Sequence, residues 1–494
     1  MQAFEPLYYA DRLVVVNPYG DVGVTSLWSK VESAQGVLER AGVNLSRETS
    51  RISVISNLYG NGLPQMLRNL FWNPQIRHVV IMGENLSGSR EWLLNFFKEG
   101  LEEVEFLGSP TFRIRGTDRI IDGELRPENF LSIPNFSVFG KVSSDETKTG
   151  IEEFFAKLPP FSGTVVSRTK PPEIPQPTVT RFPSEPRGHT IIRDAPMEAW
   201  QELVFHLYRF GYRTSVAKRK GTEGRVELQN VKVVVENPTE EPEDLIKSYG
   251  FSLEHFHDYQ QRMLDSVRPV ELEYSYGNRL RGYFSHGGEV VDALTIFGGR
   301  LKEKPDSRHA MMSLWDSNRD TPEGTGCPCF DSVFFRQFDG VLTMTATFRT
   351  HNTMSAWPEN FYGLMAIQSF VAQLAGLLIG PITVFSRSIS IDTASLEKAK
   401  QISELRKTDE VIHASTGKFG PRMDPYGEFT VTIDAETKEL VVEHLYQGAK
   451  LCEYRGKTAE DIERQLARDK AVSLISHALY LGRELARAQV RLRG

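Results

Sequence analysis

The sequence reads GCPCF at residues 326–330, FRTHN at 348–352 and PEN at 358–360. These runs place a thiol at Cys329 and a guanidinium at Arg349 close together along the chain. The thiolate is the reactive form of cysteine, and a neighbouring arginine favours it. Arginine also binds phosphate groups through paired N–H donors. The runs therefore indicate a nucleophilic thiol next to a phosphate-binding site.

A Cys-x-Cys pair such as Cys327 and Cys329 could instead belong to a metal site. A structural metal site needs about four ligands, and no second cluster of cysteine and histidine with suitable spacing occurs in the sequence. We therefore expect no metal.

Patterns around these runs predict an α+β domain. Strands are expected at 332–338 and 341–348, joined by Asp339-Gly340, a pair that favours a tight hairpin turn. An apolar helix is expected at 361–378, and the i, i+3, i+4, i+7 spacing of apolar residues at 197–210 predicts another. Further strands are expected at 224–236, 270–274 and 310–315.

Residues 189–400 resemble the thymidylate synthase and pyrimidine hydroxymethylase family. The three runs keep that family's order and spacing, and LKEKPDSRHAMMSLWD at 301–316 is similar to its arginine-bearing segment. The resemblance implies that Cys329 adds to C6 of a pyrimidine nucleotide, which makes C5 a carbon nucleophile. C5 would then attack a one-carbon unit from 5,10-methylenetetrahydrofolate or a related methylene-tetrahydropterin.

The resemblance also assigns roles to individual residues. Tyr276 would help to remove the C5 proton. The Asn360 amide would read a uracil base, since its carbonyl can accept from N3–H while its NH2 group donates to O4. Arg308 would reach the phosphate of the other subunit, which implies a symmetric homodimer. The nucleotide-binding residues implied in this way are Arg219, Arg308, Arg349, Thr350, Asn352 and Asn360.

Several positions depart from the family pattern. Phe330 stands where the family usually has histidine, Asn352 where it has aspartate, and His309 where it has a second phosphate arginine. The run SRSIS at 386–390 replaces a motif that holds the sugar hydroxyl. The family's catalytic glutamate has three candidates here, which are Glu236, Glu241 and Glu254.

These departures leave the sugar, the pterin and the product open. The leading hypothesis is methylation of dUMP to dTMP. The runner-up is a pyrimidine-nucleotide 5-hydroxymethylase acting on dUMP, dCMP or CMP, in which water rather than hydride completes the reaction. A non-catalytic scaffold with the synthase fold and a corrinoid-linked methyl transfer are the further alternatives.

The regions on either side predict separate domains. Alternating strands and helices over 1–157 predict a Rossmann-like α/β domain with a parallel sheet. The eight prolines of 158–188 predict an extended linker. For 401–494 we expect a hairpin around 435–439 and one long amphipathic helix at 459–492. The overall class is thus α/β plus α+β.

Part of the first region has a resemblance of its own. Residues 51–110 are similar to the corrinoid-carrying A subunit of tetrahydromethanopterin S-methyltransferase. That family ligates cobalt through a histidine, whereas the corresponding turn here reads Gly88-Ser89-Arg90. We therefore expect a structural or pterin-related role for this domain, and no corrinoid.

Composition argues against several classes of protein. A net charge of −6 and a pI near 6.1 argue against a general nucleic-acid-binding protein. Three cysteines cannot form a disulfide framework, so a reducing cytoplasm is expected. The most apolar stretch, 363–385, contains Pro381 and is expected to be a buried helix followed by a strand, not a membrane span.

Overall fold

The computed structural model describes residues 3–161, 167–175, 181–185, 187–218, 221–323, 326–406, 410–412 and 419–493. This part of the chain is mixed α/β, with several sheets and 14 α-helices. It divides into two compact units, Met1–Thr180 and Arg181–Gly494.

The first unit is built on a mainly parallel sheet. Its strands are Val14–Val15 (β1), Val22–Thr25 (β2), Ile52–Ser56 (β3), His78–Ile81 (β4), Leu101–Phe106 (β5), Ser109–Ile114 (β6), Ile120–Ile121 (β7) and Asn135–Val138 (β8). Its helices are Val31–Arg40 (α1), Leu63–Trp72 (α2), Ser89–Lys98 (α3) and Asp145–Lys157 (α4).

The order of this sheet is β1-β3-β2-β4-β8, with β1 antiparallel at one edge and the other four strands parallel. Helices α2 and α3 pack into a core on one face, and α1 and α4 pack into a second core on the other. The parallel sheet with helical cover is confirmed. The sequence did not predict the separate antiparallel sheet β5-β6-β7.

The second unit contains the remaining elements. Its strands are His189–Arg193 (β9), Tyr212–Lys218 (β10), Gly221–Val235 (β11), Ser285–His286 (β12), Glu289–Val290 (β13), Met311–Ser313 (β14), Phe330–Phe338 (β15), Val341–Phe348 (β16), His351–Asn352 (β17), Leu378–Asp392 (β18), Glu410–Ile412 (β19), Phe419–Pro421 (β20), Glu428–Asp434 (β21), Glu439–Tyr446 (β22) and Ala449–Gly456 (β23). Its helices are Pro196–Phe210 (α5), Glu243–Ser248 (α6), Leu253–Leu264 (α7), Tyr276–Arg281 (α8), Ala293–Glu303 (α9), Asp320–Glu323 (α10), Ala356–Ala375 (α11), Leu396–Glu404 (α12), Ala459–Arg468 (α13) and Ile475–Arg493 (α14).

The large sheet of this unit has the order β10-β11-β18-β16-β15-β14, with β9 beside β11 and β17 beside β18. Helix α11 lies against it and carries a nearly continuous buried surface into the main core. The predicted hairpin is confirmed: Phe338 pairs with Val341, and both Asp339 and Gly340 have positive φ, as a tight two-residue turn requires. The hairpin and α11 together fix the geometry of the site described below.

Two predictions about secondary structure were wrong. Residues 270–274 form no strand, because Val270 is 94% exposed and no neighbouring strand pairs with the segment. The single long helix predicted at 459–492 is interrupted between α13 and α14. Lys470 takes a positive φ of 49° there, and Asp424 accepts hydrogen bonds from the backbone of Ser473 and Leu474 where α14 begins.

Candidate functional site

Cys329 lies in the loop immediately before β15. Arg349, immediately after the paired strand β16, forms hydrogen bonds to this loop. Because Phe330 pairs with Phe348, the residues flanking that pair face each other across the hairpin. The Arg349 backbone N–H donates to Cys329 O at 2.9 Å, its Nε donates to Pro328 O at 2.9 Å, and its Nη2 donates to Cys327 O at 3.1 Å. The predicted nucleophile and the predicted phosphate arginine therefore meet in one place.

A second segment closes on the same loop. Gly326 has a φ of +63°, which favours glycine, and it brings the loop against the Glu273 carboxylate, which a Cβ at this position would displace. The Tyr274 side chain, next along the chain, lies beside Cys329 and beside Tyr276, with the two tyrosine ring centroids 5.7 Å apart. Burial raises the pKa of Tyr274, and it raises that of Tyr276 well above its ordinary value. Both phenols therefore keep their protons near neutral pH.

Asn360, near the N-terminus of α11, has hydrogen-bond partners for both the oxygen and the nitrogen of its amide. Tyr259 donates to Asn360 Oδ1 at 2.5 Å, and Asn360 Nδ2 lies 2.9 Å from His351 Nε2. His351 Nδ1 in turn lies 3.2 Å from Ser386 Oγ. Burial lowers the pKa of His351 to about 3, so its ring is neutral. Since an amide NH2 can only donate, Nε2 accepts and Nδ1 carries the proton.

Aromatic stacking fixes the ring of that histidine. Phe348 stacks on His351 with a centroid distance of 4.2 Å, and Phe330 stacks on Phe348 at 4.9 Å. Phe330 therefore fills core volume and cannot replace the hydrogen bonds of the family's usual histidine. His351 lies within the run FRTHN, but the sequence offered no reason to assign it a role. In the structure its ring contacts the Asn360 amide.

The remaining predicted nucleotide-binding residues have different surroundings. Arg308 is exposed and has no hydrogen bond or ion pair to another described residue, and Thr350 is half-buried. Asn352 Oδ1 accepts from the backbone of Met354 at 3.0 Å and Ser355 at 3.1 Å, and its Nδ2 donates to Asp392 at 3.1 Å. Arg219 lies outside the described residues.

The three glutamate candidates also differ. Glu236 and Glu254 are exposed, whereas Glu241 is buried. The Glu241 carboxyl accepts from the Met197 N–H at 3.0 Å and lies 3.2 Å from the Tyr362 hydroxyl. Burial raises the pKa of Glu241 to about 8, so this carboxyl is largely protonated at neutral pH.

A polar cavity of about 550 Å³ adjoins the thiol through Tyr274. Arg268 and Arg319 contribute positive charge to its lining, and Glu273 and Glu323 contribute negative charge. Among the described residues, no group of three or more His, Cys, Asp or Glu side chains could hold a metal ion. Nor is any described helix long and apolar enough to cross a membrane.

Two parts of the second unit match known protein families. Residues 190–413 match the family model described as Thymidylate synthase, and residues 423–494 match one described as PterinBD-DUF4346. A relative from Methanothermobacter marburgensis named "Putative thymidylate synthase" is 31% identical over 228 residues, which are 44% of this chain and 98% of the relative.

Two relatives with the same printed name show similar values. The Methanothermobacter thermautotrophicus protein is 30% identical over 218 residues, 42% of this chain and 94% of the relative. The Methanosarcina acetivorans protein is 31% identical over 196 residues, 39% of this chain and 85% of the relative. The resemblance of residues 51–110 to a methyltransferase subunit stays a prediction.

Proposed function

Because this chain belongs to the thymidylate synthase family, we propose that it transfers a one-carbon unit from a methylene-tetrahydropterin to C5 of a uracil nucleotide, with dUMP as the substrate and dTMP as the product. The observation that carries the proposal is the meeting of Cys329 with Arg349 on the β15–β16 hairpin. The oriented amide of Asn360 lies at the adjoining start of α11.

The chemistry begins at the thiol. The Cys329 thiolate forms a bond to C6 of uracil, and the displaced π electron pair is held by C5 and O4 as an enolate. C5 then bonds to the one-carbon unit, and loss of the C5 proton accompanies cleavage of the bond between that carbon and the pterin nitrogen, which leaves an exocyclic methylene on C5. For the methyl product, a hydride from the tetrahydropterin, which would leave as dihydropterin, would add to this methylene. The C5–C6 double bond would then reform as the Cys329–C6 bond breaks and the thiolate is released. Covalent attack thus turns an unreactive ring carbon into a nucleophile. Tyr276, protonated near neutral pH, can orient a water that takes the C5 proton.

Arg349 has the capacity to hold both its loop and the nucleotide phosphate. A guanidinium carries five N–H donors, and two of those of Arg349 bond to carbonyls of the Cys329 loop. The other donors can bind phosphate, with Thr350 as the neighbouring hydroxyl. Because this one side chain fixes both the thiol loop and the phosphate, it sets the distance between them.

Base recognition rests on the Asn360 amide. With Tyr259 donating to Oδ1 and His351 accepting from Nδ2, the oxygen and nitrogen of the amide cannot exchange places without losing both bonds. The second lone pair of Oδ1 can accept from uracil N3–H, and the second N–H can donate to O4. Cytosine presents the opposite pattern at both positions, so the oriented amide selects uracil.

We also propose that the protein forms a homodimer in which Arg308 of the partner subunit binds the nucleotide phosphate. Arg308 is exposed and unpaired among the described residues. The β16 residues opposite the core, Thr343, Thr345 and Thr347, are half-buried, so this face of the sheet is open to a second copy.

The pterin would lie in the polar cavity beside Tyr274, with Arg268 and Arg319 facing its acidic tail. When bound, it supplies one carbon at the oxidation level of formaldehyde and, for a methyl product, the hydride. The match of residues 423–494 to PterinBD-DUF4346 supports a pterin rather than another donor.

Mass spectrometry of the nucleotide products tests the proposal. The protein is incubated with methylenetetrahydrofolate and, in separate reactions, with dUMP, UMP, dCMP or CMP. A gain of one methyl group on dUMP, absent in Cys329→Ala, is expected. A hydroxymethyl product would favour the 5-hydroxymethylase, and turnover that survives Cys329→Ala would refute the nucleophile.

A further inference from the structure

The first unit contains a cavity of about 230 Å³ that lies outside the site described above. One wall is the sheet face that carries Val54 and Val79, and the opposite wall is the side of α2 that carries Met66 and Leu70. The N-terminal segment, including Phe4 and Tyr9, also lines the cavity. Asn69 Oδ1 accepts from the backbone N–H groups of Leu7 and Tyr8, and Asn69 Nδ2 donates to Tyr8 O, so this segment is held against α2.

The cavity reaches the carboxyl end of the parallel strands. The chain runs from β2 to β3 on one side and then to β4 on the other side of β2, so the strand order reverses at this point. Ligands of open α/β sheets bind in the crevice that such a reversal creates. The loop 57–62, which follows β3 and begins α2, forms the rim of the cavity.

The rim exposes aromatic rings. Tyr59 is 42% exposed and lies 5.0 Å from the Trp28 ring, which is 43% exposed and belongs to the loop after β2. Tyr9, which also lines the cavity, is 44% exposed. Aromatic side chains so placed offer faces on which a flat ring can stack.

The charge of the lining is one-sided. Among the described residues that line the cavity, Arg12 is the only one with a charged side chain, and none is a carboxylate. Its guanidinium is 66% exposed and has a loose contact of 3.9 Å with Asp11. Asn57 and Asn61 add amide groups beside the N-terminus of α2, whose backbone dipole also favours an anion.

We propose that this cavity binds a small molecule with a flat aromatic or heteroaromatic ring and one anionic group. The ring lies between the apolar walls and stacks against Tyr59, and the anion pairs with Arg12 at the rim. An apolar pocket with a few convergent polar groups is the usual form of such a site. The inference rests on the geometry of the first unit and does not depend on the proposed reaction at Cys329.

Two fluorescent probes of the same shape test this inference in the full-length protein. 8-Anilinonaphthalene-1-sulfonate carries a ring system and an anion, and N-phenyl-1-naphthylamine is its uncharged counterpart. Arg12→Gln should weaken binding of the sulfonate about tenfold, the range of a charge-assisted hydrogen bond, and change that of the amine less than twofold. Tyr59→Ala should weaken both probes, because it removes the stacking face.

Arg47→Gln serves as the matched control, since Arg47 is exposed in the same unit and does not line the cavity. It should leave both affinities unchanged. The proposal is overturned if Arg12→Gln and Arg47→Gln have equal effects on the sulfonate, or if Tyr59→Ala leaves both probes bound as tightly as before. Loss of dUMP turnover in a separate assay would bear on the proposed reaction and not on this cavity.

Discussion

Replacing His351 by phenylalanine tests whether the hydrogen-bond relay orients the Asn360 amide. The substitution keeps an aromatic ring that can stack on Phe348, and it removes the Nε2 acceptor 2.9 Å from Asn360 Nδ2. Tyr259 would remain the single partner that distinguishes the amide oxygen from the nitrogen. The amide should then adopt its flipped orientation more often, with NH2 where the oxygen had been.

The size of the expected loss in kcat/KM follows from the hydrogen bonds that the substitution removes. A neutral intramolecular hydrogen bond contributes about 1 kcal/mol net, and a buried N–H left without an acceptor costs about 1–3 kcal/mol. At about 1.4 kcal/mol for each factor of ten, the variant should lose about tenfold to a hundredfold in kcat/KM for dUMP. The preference for dUMP over dCMP should fall by at least tenfold, because the flipped amide matches cytosine.

The assay is competition between dUMP and dCMP in one reaction, with products separated by mass. His351→Gln is the conservative partner variant, since its side-chain oxygen can accept from Asn360 and should restore most of the preference. A merely structural role would lower the rates for both nucleotides and leave their ratio unchanged. A dUMP-to-dCMP ratio within twofold of wild type in His351→Phe, measured on folded protein, would refute the relay.

Three further predictions concern single side chains. Asn352→Ala should destabilise the protein by about 0.5–2 kcal/mol in urea denaturation, because it removes the acceptor for two backbone N–H groups in the turn before α11. It should leave KM for dUMP unchanged, and a tenfold rise in KM at unchanged stability would instead support nucleotide binding. The pKa of Glu241 is about 8 in the folded protein and about 4.5 in the unfolded chain. The unfolded chain therefore loses this proton first as pH rises from about 4.5 to 8, and the contribution of Glu241 to folding stability decreases over that range. The Tm of Glu241→Gln relative to wild type should therefore rise from pH 5 to pH 8, and a constant difference would contradict a buried acid. Tyr276→Phe should slow turnover of dUMP by about a hundredfold, because the hydroxyl that orients the water for removal of the C5 proton is lost, and an unchanged kcat would exclude that role.

Local patterns determined the parts of the fold that the sequence predicted well. The Asp339-Gly340 turn fixed the register of β15 and β16 from Phe338 back to Ser332. A bulge between Phe330 and Ser332 then shifts the pairing by one residue, so that Phe330 faces Phe348 and Cys329 faces Arg349. The helix predicted at 197–210 matches α5 to within one residue, because its apolar spacing is contained within one short segment.

Contacts between distant segments could not be predicted in this way. His351 meets Ser386 because β17 pairs in parallel with β18, and Tyr259 meets Asn360 because α7 packs on α11. Neither pairing leaves a periodic pattern in the sequence. The break between α13 and α14 likewise depends on Asp424, which lies far from it along the chain.

The most direct test of the central claim is to trap the nucleotide on Cys329. 5-Fluoro-dUMP carries fluorine in place of the C5 hydrogen, so the adduct formed with methylenetetrahydrofolate cannot lose a proton from C5 and remains attached to the protein. The account predicts a stoichiometric mass increase equal to nucleotide plus folate, located by peptide mapping on Cys329 and absent in Cys329→Ala. An adduct on Cys327 or Cys452, or no adduct from protein that turns over dUMP, would contradict it.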